Sequence, residues 1–179
     1  MILLVGASAS GKTEIAKYLA KSHGIKKAIT HTTRKMREGE RQDVDYHFVD
    51  EATFQRMLKE DKFVEHTCYN GNHYGCSKDE IADDKCVILD PEGLKSFLAL
   101  NSQSLVSFYL YASKETRKAR MQGRGDDPKA IESRLANDEI AFNEDSLAPV
   151  NYKINCDEGD VATIAEKILK LYKDKLSSI

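Results

Sequence analysis

Tryptophan is absent from this chain, and only three prolines stand among its 179 residues. The four cysteines, Cys68, Cys76, Cys86 and Cys156, are too few for the disulfide framework of a small secreted domain, so we expect them to be reduced. No apolar run approaches the roughly 20 residues that a membrane-spanning helix needs. The apolar opening, residues 1–5, is too short for the core of a signal peptide. The expected location is therefore cytoplasmic.

An excess of charge of one sign is also missing. Twenty-seven lysines and arginines stand against 29 aspartates and glutamates, which gives a formal net charge of −2 at pH 7. Such a chain lacks the basic character of a nucleic-acid-binding domain and the acidic tail of a disordered one. We expect neither nucleic acid nor membrane as a partner, and any anion must be bound by a local cluster of basic residues. The length allows one domain, with room for a small inserted lobe.

The most specific motif lies near the beginning of the chain, where residues 6–13 fit the P-loop pattern G-x-x-x-x-G-K-[ST]. An apolar strand-like run precedes the motif and a helical pattern follows it, which is the context that the motif requires. Lys12 is expected to reach the outer phosphates of a nucleotide, and the Thr13 hydroxyl to ligate Mg²⁺. The predicted nucleotide contacts are Gly6, Ala7, Ser8, Ala9, Ser10, Gly11, Lys12 and Thr13.

Strand-like and helix-like segments alternate along most of the chain, which predicts an α/β fold. The expected architecture is a three-layer core in which helices flank a parallel sheet, with a small β-rich lobe and a helical lid. Predicted helices span 11–23, 92–100, 114–122 and 161–175, and predicted core strands span 86–90, 104–112 and 152–155. The core is assigned to residues 1–27 and 78–179, the lobe to about 28–77 and the lid to about 120–146.

Basic residues cluster in the predicted lobe, where Arg34 and Arg37 stand three positions apart. One guanidinium group can bind two oxygens of a phosphate at once. The hydroxyl groups of Thr30 and Tyr46 are near these arginines in sequence. The alternative is a solvated basic turn. Together with the P-loop, this cluster gives two separate phosphate-binding sets, which favours a protein that moves phosphate between two substrates.

Two carboxylates are candidates for the same site. Asp90 ends a buried-type strand and could hold Mg²⁺ through water, although it could instead cap the helix after Pro91. Glu65 follows an apolar pair at the start of a hairpin pattern. One carboxylate accepts hydrogen bonds from both N1–H and N2–H₂ of guanine, whereas the unprotonated N1 of adenine repels it. By residue type alone, Glu65 is more often a plain surface residue.

A zinc site is an alternative interpretation of four lobe residues, His66, Cys68, His73 and Cys76. Their spacing lacks the C-x₂-C pair that is typical of structural zinc sites. The segment alternates like a β-hairpin around Asn70 and Gly71, so we favour ordinary strand residues.

Taken together, the motifs resemble the guanylate kinase family almost from end to end. The resemblance rests on the P-loop, T-T-R-x-x-R-x-G-E at 32–40, D-Y-x-F-V at 45–49, F-V-E at 63–65, G-N-x-Y-G at 71–75, a strand followed by aspartate at 88–90, R-x-x-G-R-G at 120–125, R-L at 134–135, and Asn155 after a late strand. It implies a single guanylate-kinase-like domain that converts ATP and GMP, and dGMP as a further candidate, to ADP and the diphosphate with Mg²⁺. A monomer and a homodimer both remain open.

The resemblance also implies roles for individual residues. GMP phosphate contacts fall on Arg34, Arg37, Tyr46 and Tyr74, with Thr30 where the family usually has serine. The guanine-selecting acid falls on Glu65, and Asn155 matches a residue near the ATP base. The implied catalytic set is Lys12, Arg34, Asp90, Arg120, Arg124 and Arg134, and the implied metal ligands are Thr13 and Asp90.

Three departures from the family pattern bear on nucleobase specificity and efficiency. Cys76 stands where the family has serine or threonine, and its thiol is a weak donor to guanine O6, so either Cys76 or the following Ser77 is the contact. The loop after Asp90 is short, so Glu92 is the candidate for its second acid. The stretch between Arg134 and Asn155 is also short. Two other functions stay open: a kinase of another nucleotide or a ribose phosphate, and a non-catalytic module that binds phosphorylated partners.

Overall fold

The computed structural model describes residues 1–69, 71–143 and 147–178, so Asn70 of the predicted hairpin turn and residues 144–146 of the predicted lid lie outside the described residues. The strands are β1 Ile2–Val5, β2 Lys26–Lys27, β3 His31–Thr32, β4 His47–Phe48, β5 Phe63–Tyr69, β6 Asn72–Ser77, β7 Lys85–Leu89, β8 Val106–Tyr111 and β9 Tyr152–Asn155. The helices are α1 Lys12–His23, α2 Glu51–Lys59, α3 Pro91–Ala99, α4 Lys114–Gly123, α5 Pro128–Ala141 and α6 Val161–Ser177, and a short 3₁₀ helix spans Lys78–Glu80.

The core is a parallel sheet with the strand order β2-β7-β1-β8-β9. Its central strand β1 is apolar at every position and buried on both faces, as parallel strands covered by helices require. Ile2 and Leu4 belong to the cluster with α1 and α6, whereas Leu3 and Val5 belong to the cluster with α3. Helices therefore flank a parallel sheet, and the predicted fold class is confirmed.

The carboxyl ends of these parallel strands meet at one edge of the sheet. Val5 at the end of β1 pairs with Leu89 at the end of β7 and with Tyr109 of β8. The next residues along the chain, Gly6 and Asp90, therefore leave the sheet side by side. Ligands of open α/β sheets bind in a crevice at this edge, so the topology itself brings the P-loop and Asp90 together.

A second sheet has the strand order β4-β3-β6-β5 and lies within residues 28–77, the range assigned to the predicted lobe. Helix α2 covers one face, where the buried Phe54 ring stacks on Phe63 at 4.5 Å between centroids. Gly75 lies beneath this pair, and a Cβ atom there would come within 2.8 Å of the Phe63 ring. Glycine is thus required at position 75 so that the aromatic pair can lie flat against β6.

The strands differ from the sequence predictions mainly where they are short. Only two residues, His31–Thr32, pair as β3 at the start of the lobe, and an unpredicted strand forms at Lys26–Lys27. Both side chains of β2 are exposed, so no apolar alternation could indicate it. None of the described helices has the length and apolar character that crossing a membrane would require.

Candidate functional site

The phosphate-binding loop at residues 6–13 is shaped by close backbone contacts. A Cβ atom on Gly6 would lie 2.2 Å from the carbonyl oxygen of Leu110 on β8, so only glycine fits there. Ala9 adopts a left-handed conformation with φ of 59°, and Gly11 precedes α1 with φ of 111°. The loop therefore curls around the N-terminus of α1, where backbone N–H groups and the helix dipole favour an anion.

Lys12 lies across this loop. Its ammonium group donates hydrogen bonds to the carbonyl oxygens of Gly6 and of Ala7, the latter at 2.8 Å. Burial lowers the pKa of Lys12 to about 8, while the carboxylate of Asp138 acts in the opposite direction. The lysine is thus positioned at the loop, and its charge is sensitive to pH in the mildly alkaline range.

A cavity of about 670 Å³ opens beside the loop. Its lining combines loop residues such as Ser10 and Thr13 with the apolar side chains of Val161 and Ile164 from α6. Arg120 of α4 also lines the cavity and donates hydrogen bonds to the carbonyl oxygens of Ala9 at 3.1 Å and Cys156 at 2.6 Å. A lining that has both positively charged and apolar groups suits a nucleotide, which carries phosphates and a base.

Two further predicted arginines meet at the turn between α4 and α5. Arg124 and Arg134 both donate to one carboxylate oxygen of Asp126, at 3.3 Å and 3.0 Å. Arg124 also lines the cavity beside the loop. Asn155, which was expected near the base, is exposed, and its side-chain oxygen accepts the backbone N–H of Asp157. Asn155 therefore shapes the turn between β9 and α6.

The second anion-binding candidate is built around Arg34. Both terminal nitrogens of its guanidinium donate to the carboxylate of Glu40, at 3.1 Å and 2.7 Å. The guanidinium also lies over the rings of Tyr46 at 5.3 Å and Phe48 at 5.7 Å. Tyr74 completes the group because its ring is 6.2 Å from that of Tyr46. Arg34, Tyr46 and Tyr74 are thus brought together.

The other two predicted phosphate contacts lie around this group. The backbone N–H of Arg37 donates to Glu40 at 2.7 Å, and the Arg37 side chain is exposed. Thr30 is half-buried, and its carbonyl oxygen accepts the backbone N–H of His47 at 2.9 Å. Glu40 belongs to the quoted motif, but sequence reasoning gave it no role.

Glu65 lies on β5 directly opposite Cys76 of β6, so the two residues share one face of the second sheet. Burial raises the pKa of Glu65, and the negative charge of Asp90 raises it further, while a hydrogen bond from the Cys76 backbone N–H opposes both. Asp90 at the edge of the core sheet is thus close enough to Glu65 of the second sheet for its charge to act on that carboxyl group.

The remaining acceptor-site residues have distinct surroundings. Cys76 is fully buried in the cluster that includes Val87 and Leu94, and burial raises the pKa of its thiol to about 12. Ser77 is also buried and, by strand alternation, points to the opposite face of β6 from Cys76. Glu92 is 80% exposed in the first turn of α3, where it pairs with Lys95 at 2.6 Å.

Asp90 caps α3 by accepting the backbone N–H of Gly93 at 2.7 Å. A cap uses one carboxylate oxygen, so it is compatible with a second role for the other. The zinc alternative finds no support in the pairing, since Cys68 lies opposite His73 whereas Cys76 alternates to the other face. Within residues 1–69, 71–143 and 147–178, no three His, Cys, Asp or Glu side chains are arranged to hold a metal ion.

Sequence reasoning missed a buried ion pair next to the P-loop. Arg117 of α4 donates to Asp138 of α5 at 2.8 Å, and Asp138 also accepts the backbone N–H of Ser8 at 3.0 Å. The three residues come from three separate elements, with separations of 21 and 130 positions. No local spacing pattern could have indicated this contact.

Comparison with known proteins identifies the family. The family model described as Guanylate kinase matches residues 1–175. The chain belongs to the guanylate kinase family. The predicted resemblance is therefore confirmed, and with it the assignment to a family of kinases.

Individual relatives agree with this assignment. A guanylate kinase of Schizosaccharomyces pombe is 34% identical over 184 residues, which cover 96% of this chain and 86% of the relative. A guanylate kinase of Nitrosococcus oceani is 31% identical over 188 residues, which cover 98% and 93%. The crystal structure of guanylate kinase from Anaplasma phagocytophilum superimposes with a TM-score of 0.65 at 25% identity, and covers 97% of this chain and 85% of that one.

Proposed function

We propose that this protein transfers the terminal phosphoryl group of ATP to GMP, giving ADP and GDP. The observation that carries the proposal is that two groups of basic and polar residues, each suited to bind phosphate, lie at two different sheets. The P-loop with Lys12 follows β1 of the core, and Arg34 with Tyr46 and Tyr74 belongs to the second sheet. The charge of Asp90, at the edge of the core sheet, acts on Glu65 of the second sheet.

The donor nucleotide is assigned to the cavity beside the P-loop. The loop N–H groups and the ammonium of Lys12 would bind the outer phosphates, and the apolar side chains from α6 would contact the base. Thr13 and Asp90 supply oxygen donors, the ligand type that Mg²⁺ prefers, and they belong to neighbouring chain segments at the same sheet edge. Bound there, Mg²⁺ would neutralise charge on the outer phosphates of ATP.

The acceptor is assigned to the second sheet. Arg34, Arg37, Thr30, Tyr46 and Tyr74 would bind the phosphate of GMP. Glu40 holds the Arg34 guanidinium through two hydrogen bonds, so that arginine is oriented before a phosphate arrives.

The base of the acceptor is assigned to the face that carries Glu65, whose carboxylate would accept N1–H and N2–H₂ of guanine. Cys76 shares this face but is fully buried beside Val87 and Leu94, and the buried Ser77 points to the opposite face, so neither side chain is exposed to an incoming base. Glu92 is turned toward Lys95 at the surface, which makes it the weakest of the proposed acceptor contacts.

Catalysis in this arrangement rests on positioning and electrostatic stabilisation, because phosphoryl transfer needs no covalent intermediate with the protein. Arg120 stands at the P-loop, and Arg124 and Arg134 lie together at the α4–α5 turn. Their positive charges would balance the charge of the transferring group. Closure of the second sheet and of the α4–α5 turn over both substrates would exclude water that otherwise hydrolyses ATP.

A coupled assay of ADP release tests the proposal with AMP, GMP, dGMP, CMP and UMP as acceptors. We expect GMP to give the highest kcat/KM and dGMP to be accepted less well or equally. Equal rates with AMP and GMP would contradict the role of Glu65. Turnover with AMP, CMP or UMP but not with GMP would support a kinase of another nucleotide, and binding of GMP without any turnover would support the non-catalytic module.

A further inference from the structure

The helix pair α4–α5 contacts three consecutive residues of the P-loop. Asp138 of α5 accepts two hydrogen bonds from Ser8, from its backbone N–H at 3.0 Å and its hydroxyl at 3.3 Å. Arg120 of α4 donates to the carbonyl oxygens of Ala9 and Ser10. The Ala9 side chain also packs against a small apolar cluster formed by the same two helices. The loop is thus held by polar contacts on both sides of its left-handed residue.

The Asp138 carboxylate is itself held in place by a buried ion pair. Arg117 donates to it at 2.8 Å, and the two side chains are only 8% and 12% exposed. A buried charge that loses its partner is strongly destabilising, so neither side chain of such a pair moves away easily. The carboxylate consequently has a fixed position relative to Ser8, and it also favours the charged form of Lys12.

We infer that Asp138 is a positioning residue for the P-loop. By accepting both hydrogens of Ser8, it fixes the first half of the loop, so that the N–H groups of the second half and the Lys12 ammonium converge on the donor phosphates. Arg117 acts one step further away by orienting Asp138. This inference rests on the proposed function, because the phosphates in question are those of ATP.

The neighbouring residue provides a matched control. Glu139 follows Asp138 on α5 and pairs with Lys114 of α4 at 2.6 Å. Both side chains of this second α4–α5 ion pair are about half exposed. Among the described residues, the pair makes no hydrogen bond to the P-loop. A substitution of Glu139 perturbs the same two helices and leaves the Ser8 contact in place.

The test replaces the ion pair in two ways. The double variant Arg117→Leu with Asp138→Leu removes both charges together with the acceptor for Ser8, and apolar replacement of a buried ion pair often preserves stability. The double variant Arg117→Leu with Asp138→Asn removes both charges but keeps an oxygen that can accept the Ser8 N–H. Glu139→Gln is the control. Steady-state kinetics are measured with ATP and GMP varied separately, and thermal unfolding is measured for each variant.

We expect the Leu/Leu variant to remain folded and to lose about 10- to 100-fold in kcat/KM for ATP, because a displaced loop no longer aligns the phosphates. Its KM for GMP should stay within about twofold, since the acceptor site lies on the other sheet. The Leu/Asn variant should recover most of the loss, and Glu139→Gln should match the parent protein. Calorimetry with a non-hydrolysable ATP analogue should show the same order of affinities.

A folded Leu/Leu variant with unchanged ATP kinetics would overturn the inference, as would an equal loss in the Leu/Asn variant. If the Leu/Leu variant does not fold, the pair Arg117→Ala with Asp138→Ala, which leaves space for water, is judged by the same criteria. A parent protein that shows no GMP-dependent ADP release would instead contradict the proposed function, so the two failures are distinguishable.

Discussion

Glu65 combines a cost in stability with a proposed role in substrate selection. Burial disfavours its charged form, and Asp90 adds a like charge, so the pKa of Glu65 is raised in the folded protein. A carboxyl group with a raised pKa stabilises the fold below its ordinary pKa, and this stabilisation is lost as the pH rises through the raised value. The contribution of Glu65 to the free energy of unfolding therefore decreases as the pH rises through that range.

Glu65→Gln should consequently stabilise the protein without ligands at pH 7 and have little effect on stability at pH 4. The same substitution places an amide donor against guanine donors. The decrease in kcat/KM for GMP should correspond to a loss of about 2–4 kcal/mol in transition-state stabilisation, with weaker discrimination against AMP. Thermal unfolding at the two pH values and steady-state kinetics check both parts. Glu60→Gln, at the exposed end of α2, is the control and should change neither quantity. An unchanged ratio of GMP to AMP activity would place the base elsewhere.

Lys12 is expected to act on the donor side alone. Lys12→Ala should lower turnover by about 10³ or more while the affinity for GMP changes little, because the acceptor binds to the other sheet. Calorimetry with GMP and a turnover assay measure the two effects, and Lys21→Ala on the exposed side of α1 is the control. A collapse of GMP binding with only a modest loss of turnover would contradict the assignment of two separate sites.

The pKa of Lys12 gives this residue a second test. The lysine is charged below its pKa, which burial lowers to about 8, and it loses its charge above that value. In the parent protein, kcat/KM for ATP should therefore decline as the pH rises past about 8, since this parameter follows ionisation in the free enzyme. A flat profile from pH 7 to pH 9.5 would show that another group determines the charge at the loop.

Residues in continuous motifs could be predicted from the sequence, and residues joined only by the fold could not. The P-loop, the Arg34 segment and Glu65 are each marked by neighbours within a few positions. Arg117 and Asp138 look like ordinary charged residues of two helices rich in charge, and only the packing of α4 and α5 makes them a buried pair. The contact of Asp138 to Ser8 spans 130 positions, a separation at which spacing carries no information.

At the scale of secondary-structure elements, one side chain at the start of α3 has both a role in helix stability and a proposed role in catalysis. Asp90 caps the helix and is also the proposed metal ligand, and these two roles can be separated because asparagine caps helices as well as aspartate does. Asp90→Asn should keep the free energy of unfolding within about 0.5 kcal/mol. It should also reduce turnover and raise the Mg²⁺ concentration that gives half-maximal activity, because a neutral amide is a weaker ligand.

Asp50→Asn is the matched control for that substitution. Asp50 caps α2 in the same way, by accepting the backbone N–H of Thr53 at 2.7 Å, and it lies at the start of a helix outside the proposed metal site. Turnover and its dependence on Mg²⁺ should be unchanged in this variant. If both variants lose activity equally, the effect of Asp90 is one of helix capping, and the ligand role is wrong.

Helices were predicted closely because their ends carry local signals. Helix α1 ends before Gly24, which is left-handed, and Ser113 and Asp160 cap α4 and α6 through their side chains. The short strands of the second sheet carry no such signals. Strands β3 and β4 pair over two residues each, and that pairing is decided by backbone hydrogen bonds between distant segments. Sequence alone therefore indicates a β-rich region there without its register.

At the scale of the whole molecule, the two proposed substrates bind to different sheets and should order different parts of the chain. Hydrogen exchange should slow in β3 and β6 on addition of GMP, and in residues 6–13 on addition of a non-hydrolysable ATP analogue. Residues 120–126 should be protected most when both ligands are present, because their arginines are proposed to contact the phosphates of both substrates. Protection of the P-loop by GMP alone, as strong as by the ATP analogue, would contradict this division.

Architecture was predictable at this scale because alternating strands and helices leave few arrangements. A buried apolar β1 leading into a P-loop and helix requires a parallel sheet covered on both faces. The boundaries of the predicted lobe were harder to predict from the sequence. They depend on the pairing of β2, whose two lysines give no apolar pattern, and on the burial of Glu80, which has the composition of a surface residue.

The pairing of β2 with β7 has a consequence for how this fold can diversify. Lys27 lies opposite Cys86, so the chain leaves the core sheet for the second sheet and returns from it through neighbouring strands. Glu80 joins the two crossings by accepting the backbone N–H of Ile29 and pairing with Lys85, both at 2.8 Å. A segment whose two ends are adjacent can be exchanged for another without opening the core. The region between these crossings is accordingly the natural unit for recombination, and a chimera that imports it from a relative should carry over the acceptor preference while it keeps the donor site.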